Sequence, residues 1–156
     1  MTKRHLALLA AGLCLTLLAP VVATAAERAT PEDAEEFARG AAAYLKKHGR
    51  EKAFAAFNDT AGQFFKQDLY VFAYDLKGTC LLLPTKPERV GKTWLDLKDP
   101  DGKLIVKGMA DLAKAKGQGW YEYKFHNPAT GKTEPKVSFV IKIDDFFIGV
   151  GAYKNK

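Results

Sequence analysis

The chain has 156 residues, of which 47% are hydrophobic and 27% charged, with a formal net charge of +6. This length is sufficient for one domain with an ordinary hydrophobic core. The lysines occur singly or in pairs, without an arginine-rich face, so no nucleic-acid partner is expected.

The N-terminal segment is typical of a secretory signal peptide. A short basic start is followed by an apolar run over 6–22 and then by small residues that include Ala25-Ala26. This order predicts cleavage at that point, with a signal over 1–26 and one domain over 27–156. The alternative is a retained membrane anchor, although the apolar run is shorter than the about 20 residues that a spanning helix needs. We therefore expect a periplasmic or secreted domain without a membrane span in its mature form.

Two helical segments are predicted after the signal. Thr30 can cap a helix that begins at Pro31, and apolar residues recur at helical spacing as far as Leu45. Gly49 is predicted to end this helix, and a second helical stretch covers about 50–57. Together they predict a long, kinked helical arm ahead of the first strand.

A hairpin and another helix come next. The residue pattern predicts paired strands over 69–75 and 79–83. Cys80, the one cysteine left after cleavage, lies in the second of these strands and is interpreted as a buried structural thiol. A loop with two prolines, 84–94, precedes an amphipathic helix predicted over 104–116.

Three more strands complete the chain, over 120–125, 137–143 and 146–153. Long helix, hairpin, helix and three-stranded meander together predict the α+β fold class. We expect a long N-terminal helix packed on a five-stranded antiparallel sheet.

Catalytic and metal-binding motifs are missing from the sequence. It has no HExxH, CxxC, GxSxG or P-loop pattern, and neither His48 nor His126 has the partners that a metal site would need. The paired acids Asp99 and Asp101, and those at 144–145, lie in predicted turns, which explains both pairs. We expect no catalytic residue, metal or cofactor, and an exported enzyme has no catalytic constellation to support it.

Aromatic side chains are concentrated on the strands and on the loop 84–94. The helices are too few to cover both faces of the sheet fully, so we expect a concave, aromatic-lined space beneath this loop. Lys136 and Lys142 share one face of a strand and would suit the carboxylate of a ligand. Strand parity places Phe139 on the other face from Lys136, so the whole candidate set cannot line one pocket. The candidate ligand-binding residues are Tyr74, Trp94, Trp120, Tyr123, Lys136, Phe139 and Lys142.

Several motifs, taken together and in order, resemble the single Cache domain family. They span about residues 31–154 and include Tyr70-Val-Phe-Ala-Tyr-Asp75, Leu83-Pro84, Val90-Gly91-Lys92, Asn127-Pro-Ala-Thr-Gly131 and Phe147-Ile-Gly-Val-Gly-Ala-Tyr153. The resemblance implies an extracytoplasmic sensor domain with a long N-terminal helix and a PAS-like sheet. It also implies that a small molecule, often a short carboxylate, binds in a pocket on the sheet.

Two positions depart from the family pattern. The family often has His where this chain has Leu83, and Tyr where it has Phe139. The resemblance therefore implies a more apolar pocket in this chain.

Most Cache domains also drive a cytoplasmic output, so a secreted domain would need a membrane receptor or sensor as its partner.

Two functions remain open from the sequence. The first is non-catalytic binding of a small molecule, a short carboxylate or related metabolite, in the periplasm, with a signal passed to a membrane partner. The alternative is a protein–protein interaction module with a filled pocket, which predicts a solid core and an exposed aromatic patch. A cavity that contains a buried polar group would favour the first function.

Overall fold

A computed structural model describes residues 28–66, 68–127 and 129–154, and the predicted signal peptide over 1–26 lies outside these ranges. The helices of the described residues are α1 (Pro31–His48), α2 (Arg50–Asn58) and α3 (Ile105–Lys116). Their strands are β1 (Phe65–Lys66), β2 (Leu69–Asp75), β3 (Cys80–Leu82), β4 (Gln118–Asn127), β5 (Lys132–Ile143) and β6 (Phe146–Tyr153).

The helical arm forms as the sequence predicts. Thr30 and Asp33 cap α1 reciprocally: Asp33 N donates to Thr30 Oγ1 at 3.1 Å, and Thr30 N donates to Asp33 Oδ2 at 2.8 Å. Gly49 ends α1 with a φ of 81°, in a region that glycine adopts without the steric cost of a Cβ atom. Because α2 begins at the next residue, the arm is two helices with a sharp break.

The sheet is antiparallel throughout, in the order β1-β2-β6-β5-β4, and β3 pairs with β2. In the described part of the chain it therefore has six strands, and the prediction of five was wrong by one. The missed strand, β1, has two residues, which is too short to show the alternation that identifies a strand. The α+β class and the antiparallel arrangement are confirmed.

Both faces of the sheet are covered. Helices α1 and α2 pack on one face, where Val71, Ile148 and Val150 are buried. Helix α3 and the loop after β3 pack on the other face, where Tyr70 and Phe72 are buried. The helices alone do not cover the second face, as the sequence predicts, and the loop completes that layer.

Within the ranges described above, no helix combines the length and the apolar character that crossing a membrane requires. The same residues contain no group of three or more His, Cys, Asp or Glu side chains arranged to hold a metal ion.

Candidate functional site

A small cavity lies between the sheet, α3 and the loop that follows β3. Its volume is about 30 Å³, which leaves room for water but not for an organic ligand. The strands contribute mainly aromatic rings, whereas α3 and the loop contribute aliphatic side chains. The lining residues are Tyr70, Phe72, Tyr74, Leu83, Leu97, Ile105, Val106, Met109, Tyr123 and Phe125.

Lys136 is 1% exposed and does not line the cavity itself, but it contacts Tyr70 and Phe125, which do. Its Nζ atom donates a hydrogen bond of 3.2 Å to the hydroxyl of Tyr70. The ammonium group also lies near three aromatic rings, 4.5 Å from the centroid of Tyr153, 4.7 Å from that of Tyr70 and 5.7 Å from that of Phe125. Among the described residues, no carboxylate is within 4.0 Å of Nζ. Lys136 is therefore a buried cation that the aromatic rings stabilise without a direct ion pair, while the Asp68 carboxylate acts on its charge from a greater distance.

Glycines on β6 make room for this arrangement. Gly151 is the register partner of Ser138 on β5, beside the Lys136 side chain. A Cβ atom added at Gly151 would lie 2.5 Å from Lys136 Cε, and a Cβ atom at Gly149 would collide with the ring of Phe72. The alternating glycines thus leave the volume that the lysine stem and the Phe72 ring occupy.

Lys136 remains charged in this environment. Burial alone would lower the pKa of its ammonium group, but the phenols of Tyr70 and Tyr123, together with the more distant carboxylate of Asp68, hold that pKa above its ordinary value. Burial would raise the pKa of the Tyr70 phenol, but the charge of Lys136, with smaller contributions from Thr85 and Lys86, brings that pKa below its ordinary value. The Lys136 ammonium is therefore present at neutral pH, beside a polarised phenol.

Tyr123 and Ser138 add two further polar groups. The Tyr123 hydroxyl and Ser138 Oγ are 3.0 Å apart, and both side chains are buried. Burial raises the pKa of Tyr123 to about 12, so its phenol is protonated at neutral pH. An ammonium group and neighbouring hydroxyl groups are donors that suit a carboxylate, since hydrogen bonds to charged partners are the strongest in proteins.

The structure separates the seven predicted site residues. Tyr74, Tyr123 and Lys136 lie on the cavity face of the sheet, and Trp94 packs against the same buried cluster. The other three do not contribute to the cavity: Trp120, Phe139 and Lys142.

Trp120 and Phe139 lie on the opposite face, where their ring centroids are 4.9 Å apart. Lys142 shares the cavity face of β5 but is exposed near the β5–β6 turn. We interpreted Phe139, where the family often has Tyr, as the loss of a polar group from the pocket. That interpretation was wrong, because Phe139 lies on the other face and contributes to the core beneath α1. Leu83 does line the cavity, so that departure from the family pattern remains relevant.

Sequence reasoning missed Tyr70, Ser138 and Tyr153. The period of two along a strand could have indicated the first two, since Tyr70 shares parity with Tyr74 and Ser138 shares parity with Lys136. Tyr153 is the partner of Lys136 in the pairing of β5 with β6. The two-residue turn between Ile143 and Phe146 sets that register, so the predicted bounds of the two strands could have indicated Tyr153 as well.

Comparison with known proteins identifies the family. The profile described as Cache domain matches residues 39–156, which confirms the resemblance of the motifs. The sensor histidine kinase MctS of Rhizobium johnstonii is 38% identical over 91 residues, a match that covers 57% of this chain. The chain spans 20% of the length of that relative.

Solved structures show the same fold. A methyl-accepting chemotaxis protein from Vibrio parahaemolyticus has a TM-score of 0.68 at 23% identity, over 78% of this chain and 86% of the other. A Cache chemosensory domain described for its carboxylic acid recognition has a TM-score of 0.61 at 23% identity, over 80% and 88% of the two chains. A periplasmic sensor domain of a chemotaxis protein gives the same TM-score and identity, over 80% and 90%.

Proposed function

The chain belongs to the Cache domain family, and from this premise we propose that it binds a small carboxylate above Lys136 without catalysing its conversion. Binding takes place outside the cytoplasm, in the periplasm, after removal of the predicted signal segment 1–26. The domain over 27–156 then passes its bound state to a membrane receptor or sensor.

The buried charge of Lys136, which has no carboxylate within 4.0 Å in the described part of the chain, is the observation that carries this proposal. A buried ammonium group loses its hydration, and among the described residues its one hydrogen bond, to Tyr70, leaves two N–H groups that can donate to a ligand. A carboxylate would neutralise the charge and accept from these groups. The match of the Cache domain profile and the fold shared with a carboxylic acid-recognising Cache domain support the same ligand class.

The cavity must open before such a ligand can enter. Sites for small molecules have volumes of about 300–1,000 Å³, whereas this cavity has about 30 Å³. Leu83 and Leu97 of the loop, together with Met109 of α3, line it on the side away from the sheet. We expect these side chains to move away from Tyr70 and Tyr123 when the ligand binds.

The small cavity also favours the second candidate, an interaction module with a filled pocket. That function would need an exposed apolar surface. The exposed large hydrophobic residues of the described chain are Val90 and Trp120, which lie on a loop and on an edge strand. Single exposed residues of this kind are common on any protein surface, so we favour carboxylate binding.

A thermal-unfolding experiment tests the proposal with acetate, propionate, pyruvate and butyrate on the mature domain. A ligand at 100 times its Kd stabilises a protein by about 2.7 kcal/mol, which raises the Tm of a domain of this size by several degrees. Lys136→Met replaces the charge with an apolar side chain of similar length and should weaken binding at least about 30-fold, the equivalent of about 2 kcal/mol. Lys142→Met is the matched control, since Lys142 is an exposed lysine on the same strand and should leave binding unchanged.

Two results would contradict carboxylate binding. One is equal binding by the Lys136→Met variant and the unaltered domain. The other is the lack of any Tm shift for a cooperatively folded sample across the acids, which would favour the interaction module.

A further inference from the structure

Strand β4 forms one edge of the sheet, and among the described residues it pairs only with β5. An edge strand of this length offers N–H and C=O groups to another strand, and proteins usually cover or interrupt such an edge. The loop before α3 covers the second half of β4: Lys124 N donates to Asp99 Oδ2 at 3.1 Å, and Lys103 Nζ donates to Glu122 O. The first half of β4 is therefore the open part of this edge.

The open part presents the backbone groups of every second residue. Lys142 N of β5 donates to Gly117 O at 2.7 Å, so the odd-numbered residues of β4 are the ones that exchange hydrogen bonds with β5. The even-numbered residues face away from β5, in agreement with the hydrogen bond from Lys124 to Asp99. In the described part of the chain, the backbone N–H and C=O of Trp120 consequently have no partner.

Three side chains lie in line along this open edge, on the face of the sheet that carries α1. Trp120, at the centre, is 38% exposed, although its ring packs against Phe139. Arg39 of α1 lies on one side of it: the guanidinium group is 4.9 Å from the Phe139 centroid, and Nη1 donates to Gln118 Oε1 at 3.4 Å. Glu122 lies on the other side, with a side chain that is 64% exposed. The edge thus carries a cation, an apolar ring and an anion in order.

We propose that two copies of this chain associate through this edge, with their β4 strands antiparallel about a twofold axis at Trp120. Under this symmetry Trp120 is opposite itself, and Gln118 of one copy is opposite Glu122 of the other. Each opposing pair can then exchange two backbone hydrogen bonds, because Glu122 O has a second lone pair beside the one that Lys103 uses. The Glu122 carboxylate would lie next to the Arg39 guanidinium group of the other copy, so the surface is complementary to itself in charge.

Other twofold registers of the same edge fit less well. An axis nearer the end of β4 would need the N–H of Lys124, which Asp99 already accepts. An axis nearer its start would place the strand against Lys116, the last residue of α3, and would pair fewer residues. The proposed register leaves the cavity of each copy free, since Trp120 does not line it. The inference is therefore independent of carboxylate binding.

Sedimentation velocity of the mature domain, from micromolar to millimolar concentration, tests the inference. We expect a reversible monomer–dimer equilibrium. Trp120→Lys should weaken it at least about tenfold, because a central tryptophan commonly dominates the binding energy of an interface. Glu122→Arg, which changes an exposed side chain and spares the core, should also weaken it about tenfold, and adding Arg39→Glu should restore it. Lys52→Glu, a charge reversal at an exposed position of α2, is the matched control and should leave the equilibrium unchanged.

Amide hydrogen exchange on the folded domain gives a second measurement. At concentrations where the dimer predominates, the amides of Gln118, Trp120 and Glu122 should exchange more slowly than in dilute solution, whereas that of Val90, on an exposed loop, should not change. A domain that stays monomeric up to millimolar concentration overturns the inference. So does a dimer that survives both Trp120→Lys and Glu122→Arg, or one that Arg39→Glu fails to restore. Each of these results leaves the test of carboxylate binding unaffected.

Discussion

The substitution Gly151→Ala tests how tightly Lys136 is packed. The new Cβ atom would lie 2.5 Å from Lys136 Cε and would also collide with Ser138 Oγ, which contacts Tyr123. Ser138 is fully buried and Lys136 nearly so, so neither can move into solvent. Overpacking of this kind costs about 1–3 kcal/mol, and the lower backbone entropy of alanine in the unfolded chain returns about 0.4–1 kcal/mol. We therefore expect a net loss of about 1–2 kcal/mol.

Urea denaturation of the mature domain measures this loss. With a denaturant slope of about 2 kcal/mol per molar, the unfolding midpoint should fall by about 0.5–1 M. Gly40→Ala is the matched control, because a Cβ atom at this position in α1 meets no atom within 4 Å. The control should raise the free energy of unfolding by about 0.5–1 kcal/mol, since alanine is the better helix former.

The Gly151→Ala variant should also bind carboxylates more weakly, because the displaced ammonium group would no longer meet the ligand in the same position. If Gly151→Ala is as stable as the unaltered domain while Gly40→Ala behaves as expected, the reasoning about space beside Lys136 is refuted.

Two further predictions concern elements away from the cavity. Thr30→Ala removes the acceptor that caps α1 and should lower the free energy of unfolding by about 0.5–2 kcal/mol in urea titrations; an unchanged midpoint would contradict the role of this cap. Asp99 accepts hydrogen bonds from the backbone N–H groups of Asp101, Lys103 and Lys124. Burial would raise the pKa of its carboxyl group, but these hydrogen bonds hold that pKa below its ordinary value. Because the native pKa is the lower one, the stability that Asp99 contributes is complete above its unfolded pKa of about 3.9 and is lost as the pH falls through the native pKa. The Asp99→Asn variant should therefore have a lower free energy of unfolding than the unaltered domain at pH about 7, and this difference should narrow below pH about 4. A difference in stability that does not change with pH would count against this account.

Local signals were sufficient for the helices and for most strand positions. Capping residues and helical spacing located α1, whose N-cap is Thr30, and a glycine located its end. The predicted bounds of β2 and β6 agree with the structure, because a run of β-branched and aromatic residues between turns identifies a strand without reference to its partners. The bounds of β4 and β5 were predicted too short, since both strands extend through polar residues that resemble loop.

The candidate site depended on information that the sequence holds less directly. Parity along β5 determined that Lys136 and Phe139 face opposite sides, and the sequence alone was sufficient for that conclusion. It could not show which side carries the cavity, because both sides of the central strands are apolar and both are buried. Only the packing of α3 and the loop on one face decides that question.

The sequence by itself determined the fold class, the family and the order of the elements other than the two-residue β1, since each follows from local spacing and from motifs read in order. The tertiary structure alone decided that Lys136 is buried while Lys142 on the same strand is exposed. It also decided that Tyr153, Tyr70 and Gly151 surround the Lys136 side chain. The reason is physical: burial and charge pairing are properties of residues brought together from distant parts of the chain, and strand pairing determines which residues those are.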